Sequence, residues 1–375
     1  MKIVNICISA PYIEGFSYQE NILPDYLIKE GIETSIIANN ILPSYIENPQ
    51  LKPGVYFEKN KKIIRIKCFK ISSDFMITFD LFNQLKNEAP DVIIHHNLNC
   101  TSLVICTFYK ILNPNVILLV DNHADYINCN KNKYWHLFYH KFLVRLSAKF
   151  SSIFTKKFYG VTYSRCDYLN QVYGVKKTKI EFLPIGADVK SADSITEGKF
   201  DLRVKYQIPL DSIVVVTGGK MGKDKGTYNL IKAVNEINNV KIVLLLFGSF
   251  NDVETENLAK HSKFVVFKGW CDRRKALCHL KLADVAVWPV HHTTLIEDAI
   301  SVNTPLLIRK TRTTEHLIDG NGLFLDTIEY SELYHKIKIF VEDFRYTSYE
   351  GGCRIMRERL DYTSIVKKIL KDVSC

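Results

Sequence analysis

No stretch of 18 consecutive apolar residues occurs anywhere in the 375 residues, so no segment is long and apolar enough to cross a bilayer as a helix. The ten cysteines stand at 7, 68, 100, 106, 129, 166, 271, 278, 353 and 375, and no two of them form a CxxC pair or a zinc-ligand spacing. A chain this long buries enough surface without disulfides, so reduced thiols in a cytosol are the simplest account. The phosphate-binding signature GxxxxGK[ST] is missing, which excludes a P-loop nucleotidase. RNA-binding and zinc-finger motifs are missing too, as are internal repeats and low-complexity tracts. What remains is a chain of 47% hydrophobic and 24% charged residues, an ordinary globular balance spread over a length that suits two domains.

The most pronounced absence is local. Between Asp125 and Asp167 there is no acidic residue. The same stretch carries Lys131, Lys133, Lys141, Arg145, Lys149, Lys156, Lys157 and Arg165, together with Tyr134, Trp135, Phe138, Tyr139, Phe142 and Phe150. Residues 134–150 suit a helix in which Trp135, Phe138, Phe142 and Leu146 share one face. A basic helix with an aromatic face reads as an interfacial membrane element, which makes 131–157 the candidate membrane contact. The same pattern also suits a core-facing helix with a solvated basic side. Nucleic acid ranks below a membrane, because the aromatics fall on a helical stripe and not on strands that would present stacking platforms. The basic excess is uneven: residues 1–190 hold 23 Lys and Arg against 16 Asp and Glu, and the remainder 27 against 24. The first half therefore suits an anionic partner.

The chain opens β-loop-α-β. The apolar run at 2–9 reads as a strand and not as a signal peptide. Gly15 lies in the loop that follows, where a missing side chain would let backbone approach a ligand or simply make a turn. A helix is expected from about Ser17, with capping-box spacing to Glu20, as far as Glu30. The strand at 116–121 empties into Asn122-His123-Ala124-Asp125. Polar groups just past the carboxyl end of a parallel strand sit where α/β sites are built, so His123 is the best catalytic candidate of this half. It serves equally as a histidine bonded to the loop backbone. Ser164 is expected to cap a helix running to about Tyr173, and a domain boundary falls near 185–195.

The second half restarts the pattern with a strand at Ile213–Thr217, a loop Gly218-Gly-Lys-Met-Gly-Lys-Asp-Lys-Gly226 and a helix from Thr227 to Glu236. Four glycines and three lysines between a strand and a helix suit phosphate, because amides approach closely and ammonium groups neutralise charge. A flexible basic loop is the plain alternative. Residues 283–309 then form the segment that the rest is built to support. Asp284-Val-Ala-Val-Trp288 is a short apolar run stopped by Pro289, and Thr304-Pro305-Leu-Leu-Ile-Arg309 is another. Between them Thr294-Leu-Ile-Glu297 has capping-box spacing, predicting a helix from Thr294 to about Asn303. Its N-terminus, with the hydroxyls of Thr293 and Thr294, would offer an anion site, and Asp298 one turn in would accept from vicinal hydroxyls such as those of a ribose. Alone, this is also simply a capped helix packed on a sheet.

Taken in order, these pieces resemble the large family-4 group of retaining glycosyltransferases of GT-B architecture, over nearly the whole chain. Gly15-Phe-Ser-Tyr-Gln-Glu-Asn is similar to the glycine loop and first helix of bacterial polysaccharide members. Tyr173-Gly-Val…Lys179-Ile-Glu-Phe-Leu-Pro-Ile-Gly-Ala-Asp188 resembles their interdomain stretch. Gly219-Lys220…Lys225-Gly226 resembles the "GR…KG" loop with Lys220 for Arg, and Asp284 to Pro305 resembles the "adv…P…EA…g.P" stretch. The resemblance implies an α/β fold of two Rossmann-like domains with parallel sheets facing across a cleft. Residues 1–188 would bind the acceptor and 189–355 the nucleotide sugar, with a C-terminal helix in 356–375 packing back on the first domain.

It implies that Lys220 and Lys225 clamp the donor diphosphate, with Gly219 and Gly248 beside them and Thr293 and Thr294 helping. His123 and Gly15 would meet the donor from the first domain, Trp270 would lie by the base, and Asp298 would hold the ribose. Asp298 is the carboxylate seven residues before Pro305, which leaves Glu297 as the helix cap. The family's E-x7-E pattern is broken here. Eight residues before Asp298 stands Val290, the loop after Pro289 is about three residues short, and His291-His292-Thr-Thr294 takes its place. The implied co-substrate is a UDP- or GDP-linked sugar, with no separate cofactor and no metal, since no DxD pair is present. The implied setting is synthesis of a capsule or O-antigen type glycan, with a glycan or lipid-diphosphate-linked acceptor, on the cytoplasmic face of the cell membrane. An epimerase on the same architecture and an inactive scaffold are the rival expectations.

Overall fold

The structure is a computed structural model that describes every residue except 17, 44–45, 47–48, 73–74, 130–131, 238–240, 343–345 and 375. Ser17 and Lys131, both singled out above, lie outside the described residues. The chain divides into two compact units, Met1–Pro184 with Ile365–Cys375, and Ile185–Ser364.

The first unit is built on an eight-stranded sheet: β1 (Lys2–Cys7), β2 (Glu33–Asn39), β3 (Gly54–Glu58), β4 (Lys61–Ile66), β5 (Val92–His96), β6 (Ile117–Asn122), β7 (Lys157–Gly160) and β8 (Ile180–Phe182). The spatial order is β8-β7-β6-β5-β1-β2-β4-β3, parallel throughout except for the β3–β4 hairpin. Most strands are apolar runs, as expected where helices cover both faces of a parallel sheet. Strand order reverses at β1, which has β2 on one side and β5 on the other, so a crevice opens at the carboxyl ends of β1 and β5. Helix α1 (Gln19–Lys29) follows β1, and α2 (Cys100–Leu112) follows β5. Helix α3 (Tyr163–Gln171) is capped by Thr162, whose hydroxyl accepts from the Arg165 amide at 3.2 Å, and not by Ser164 as the sequence suggests. The run 158–163 reads as a strand, but β7 ends at Gly160, so the extended cap residue falls two places sooner. Residues Ile365–Cys375 group with this unit. Lys368 donates to the Phe182 carbonyl at 2.5 Å, and Asp372 accepts from the Tyr159 hydroxyl at 2.7 Å.

The basic aromatic stretch is helical but not uniformly α. Asn132 caps a first turn at Lys133–Trp135, His136–Val144 is wound as a π-helix, and Arg145–Ser151 returns to α. The wider winding rotates the aromatic stripe relative to an α-helical count. Phe138, Phe142 and Leu146 are exposed, whereas Trp135 is half-buried and stacks on Tyr139 with ring centroids 5.1 Å apart. The inward side carries His136 and His140, bonded to the Tyr168 and Tyr173 hydroxyls at 3.3 and 2.9 Å.

The second unit has a six-stranded, fully parallel sheet: β9 (Ile213–Met221), β10 (Ile242–Phe250), β11 (Val265–Phe267), β12 (Val285–Trp288), β13 (Leu306–Arg309) and β14 (Gly322–Leu325). Its order, β11-β10-β9-β12-β13-β14, reverses between β9 and β12. Asp284, at the start of β12, is buried and fixes the amino end of the sheet. It takes Arg203 at 2.6 Å, Lys199, and the Val214 amide at 2.7 Å.

Candidate functional site

The carboxyl ends of β9 and β12, where strand order reverses, enclose a cavity of about 260 Å³. It is lined by Gly218, Gly219, Lys220, Lys225, Trp288, His291, His292 and Thr293. This is the position at which open α/β sheets take ligands.

The glycine-lysine segment differs from the loop expected of it. Residues Gly218–Met221 continue β9 and pair with β10 in register, Gly219 beside Gly248 and Lys220 beside Ser249. Only Lys223–Lys225 turn away, as a short 3₁₀ segment leading to α4 (Thr227–Ile237). The continuation depends on close backbone approach. Gly248 has φ +117°, and a Cβ there would stand 2.1 Å from the Gly219 carbonyl oxygen. Strand pairing thus turns what reads as a flexible loop into a stiff cavity wall. Trp288, named above only as a strand residue, forms the facing wall, its indole N–H donating to the Gly218 carbonyl at 3.2 Å.

The turn after β12 supplies His291, His292 and Thr293. The helix that follows, α6 (Leu295–Ser301), is seven residues long and stops short of the expected end, because Asn303 takes a left-handed conformation at φ +60°. The expected capping box is not formed. Thr294 holds the N-cap position in a helical conformation, and its side chain makes no capping bond. Glu297, 2% exposed, points instead at the histidine turn, where its carboxylate takes His292 Nε2 at 2.7 Å.

Asp298 does not line the cavity. It is buried, and Arg273 donates to it at 3.1 Å while also donating to Asp188 at 2.6 Å. Arg273 opens α5 (Arg273–Lys281), directly after the capping Asp272. Burial pushes the Asp298 carboxyl up to about 6 although Arg273 pulls it down. The Trp270 side chain is 79% exposed and stands outside the lining, one residue beyond Gly269, whose carbonyl accepts from the Gly248 amide at 2.7 Å.

His123 and Gly15 belong to the first unit. Gly15 is exposed in the turn after β1, with open space where a side chain would be. His123 Nε2 lies 3.4 Å from Asp121, so its neighbour is a carboxylate and not only loop backbone. Asp121, at the end of β6, also takes His96 Nδ1 at 2.6 Å, the Asn97 amide at 2.9 Å and Gln19 at 3.3 Å. Burial works against ionising Asp121, but His96 and His123 outweigh it and hold the carboxyl far below the usual range. His96, buried as well, is held above its ordinary value by Asp121 against the pull of burial. Ligand atoms of His96, Asp121 and His123 lie within 4.8 Å of one another, a spacing that suits a metal ion. Those of His96 are taken up on both sides, since its Nε2 meets Asn5 Oδ1 at 3.0 Å.

Of the residues picked from the sequence, Gly219, Lys220, Lys225 and Thr293 meet at one cavity, and Gly248 backs it. Thr294, Asp298 and Trp270 lie in the same unit outside the lining. Sequence reasoning missed Trp288 and Arg273. Trp288 had a signal in its place at the carboxyl tip of a buried strand, whereas Arg273 had none.

No protein-family model matches the chain, and no curated protein sequence matches it. Its structure is similar to those of Anabaena HepE in complex with UDP (TM-score 0.71, 15% identity, 100% of each chain), a glycosyltransferase from Rickettsia africae (0.70, 14%, 99% of this chain and 97% of that one) and sucrose-phosphate synthase from Thermosynechococcus elongatus (0.69, 16%, 99% and 97%). At such identities the likeness speaks for the fold. The chain has the α/β GT-B fold of these proteins, with two Rossmann-like units.

Proposed function

We propose that the protein is a glycosyltransferase that takes its sugar from a nucleoside-diphosphate donor bound by the second unit. The observation that carries this reading is the cavity at the β9–β12 switch point, whose wall combines two lysines, two glycines, a threonine and two histidines. A diphosphate needs such a wall: close backbone, hydroxyl donors and fixed cations. The structural likeness to Anabaena HepE, solved with UDP, supports the same reading. In the reaction the bond between the sugar's anomeric carbon and the β-phosphate oxygen breaks, its electron pair leaving with the diphosphate, and a bond to an acceptor hydroxyl oxygen forms as that hydroxyl gives its proton to the departing phosphate. Charge accumulates on the departing diphosphate. Lys220 and Lys225 would stabilise it, an effect of the kind worth ~3–4 kcal/mol for a key preorganised donor. Roles for Asp298 at the ribose and for His123 at the donor sugar rest on the family resemblance; Asp298 itself is buried, engaged by Arg273 and outside the cavity lining. Retention at the anomeric carbon and the absence of a required metal remain what the family resemblance implies.

The acceptor proposed is a glycan or lipid-diphosphate-linked glycan of surface-polysaccharide type, met at a membrane through the basic aromatic segment. Phe138, Phe142 and Leu146 are each 54% exposed on a helix that also exposes Lys133, Lys141 and Lys149. Apolar side chains kept in water beside lysines suit an anionic lipid surface. Among the described residues no helix is long and apolar enough to cross a membrane.

The test is thermal shift with UDP- and GDP-sugars on wild type, Lys225→Ala and Asp298→Ala, followed by product analysis. Stabilisation of wild type by one donor, weakened in both variants, is expected. No stabilisation by any nucleotide would favour a scaffold role, and turnover without an acceptor would favour an epimerase.

A further inference from the structure

We infer that His292, braced by the buried carboxylate of Glu297, is a third cationic contact for the donor diphosphate, and that donor binding therefore takes up a proton. The inference rests on the donor-site reading above and adds to it a residue and a linkage.

Three observations meet here. His292 lines the same cavity as Lys220 and Lys225. Its Nε2 is 2.7 Å from Glu297 Oε1, so the proton on that nitrogen points to the carboxylate and Nδ1 is the ring nitrogen left for a ligand. Glu297 is 2% exposed, and its second oxygen has no hydrogen-bond partner among the described residues. The one hydrogen bond that this buried carboxylate makes is therefore to the His292 ring. Glu297 makes no helix cap, so bracing the imidazole is the role its one hydrogen bond leaves it.

The consequence follows from charge. With a neutral imidazole, Nδ1 is an acceptor and the pair presents the negative charge of Glu297 to an incoming phosphate. Protonation cancels that charge and turns Nδ1 into a donor. Both changes favour an anion, so a bound diphosphate selects the imidazolium. The ionisable groups around it are Lys220, Lys225 and His291 on the cavity wall, Asp224 at 3.4 Å from Lys225, and Asp298, which Arg273 already engages. Asp298, whose carboxyl burial pushes up to about 6, also changes charge near this pH range. The two are separated by comparing variants at each pH.

The experiment is calorimetric titration of UDP, and of GDP in parallel, in two buffers of different ionisation heat between about pH 6 and pH 8. Wild type is expected to take up more protons on binding than His292→Gln. That variant should bind about tenfold more weakly at the acid end, about 1.4 kcal/mol, with the gap closing toward the alkaline end. Glu297→Gln should lose the extra uptake as well, whereas Lys225→Ala should weaken binding and keep it. Imidazole NMR on the unmodified protein adds a readout independent of how the variants fold: UDP should move the His292 ring toward the imidazolium. Equal proton uptake and equal affinity in wild type and His292→Gln, or a His292 ring unmoved by bound UDP, overturns the inference and leaves the donor site standing. A folded wild type that binds neither nucleotide overturns both.

Discussion

The two units place ionisable groups at the carboxyl ends of their strands in opposite ways. In the first, His96, Asp121 and His123 turn on one another, and the buried carboxylate also takes an amide and a glutamine. In the second, Lys220, Lys225 and His292 line a cavity, and the carboxylate behind His292 holds the ring without filling the space. A group whose charge is matched inside the fold contributes to the fold. A cation at a cavity wall contributes less to the fold and can also meet a ligand: Lys225 pairs with exposed Asp224 at 3.4 Å and still lines the cavity. The same architecture thus supports a closed polar network in one half and an open cationic wall in the other.

The sharpest way to break the comparison is Asp121→Ala, which leaves His96 buried without its partner. It is expected to destabilise the first unit by about 3–5 kcal/mol, read from the urea midpoint. A midpoint equal to that of wild type would show that the histidines do not depend on this carboxylate. In the second unit, Gly248→Ala puts a methyl 2.1 Å from the Gly219 carbonyl at a φ of +117°. About 1–3 kcal/mol of strain should appear as a lower Tm together with loss of nucleotide binding.

Lys225→Ala should change unfolding free energy by no more than about 0.5 kcal/mol. It should weaken UDP by about 1.5–3 kcal/mol, the loss of one hydrogen bond to a charged group. A destabilised Lys225→Ala protein would place the lysine with the closed network after all. Asp298 gives a pH-dependent signal. Folding raises its carboxyl from 3.8 to about 6, so its contribution to stability is complete below the first value and is lost as pH rises past the second. Wild type should therefore lose ground to Asp298→Asn as pH rises between those values, and a pH-independent difference in Tm would contradict this. Smallest of all, Phe138→Ser with Phe142→Ser should leave stability within about 0.5 kcal/mol while reducing sedimentation with anionic vesicles.

Much of the architecture was legible because it is written in local patterns. Apolar runs marked the strands at Ile213–Thr217, Asp284–Trp288 and Leu306–Arg309, with Pro289 at the end of the second and Pro305 at the start of the third. Three readings failed for identifiable reasons. The glycines after Thr217 read as a loop, but pairing with β10 carries the strand on to Met221. The Thr294–Glu297 spacing read as a cap, but Glu297 bonds instead to a histidine five residues before it. The aromatic stripe was counted at 3.6 residues per turn, and the π winding of His136–Val144 moves Trp135 off the exposed face.

Residue order alone was enough to mark the two β-α halves, the cationic character of the turn after β9 and the unbalanced charge of 125–167. Each depends on neighbours along the chain and on periods that a backbone imposes locally. It took packing to make Arg273 the bridge from Asp298, 25 positions on, to Asp188, 85 positions back. Packing also closed Trp288 on Gly218 across 70 residues and paired His292 with Glu297 at the cavity wall. These are choices among partners made when burial removes water and each polar group must take what the packed neighbours offer. No local period encodes which neighbour that is.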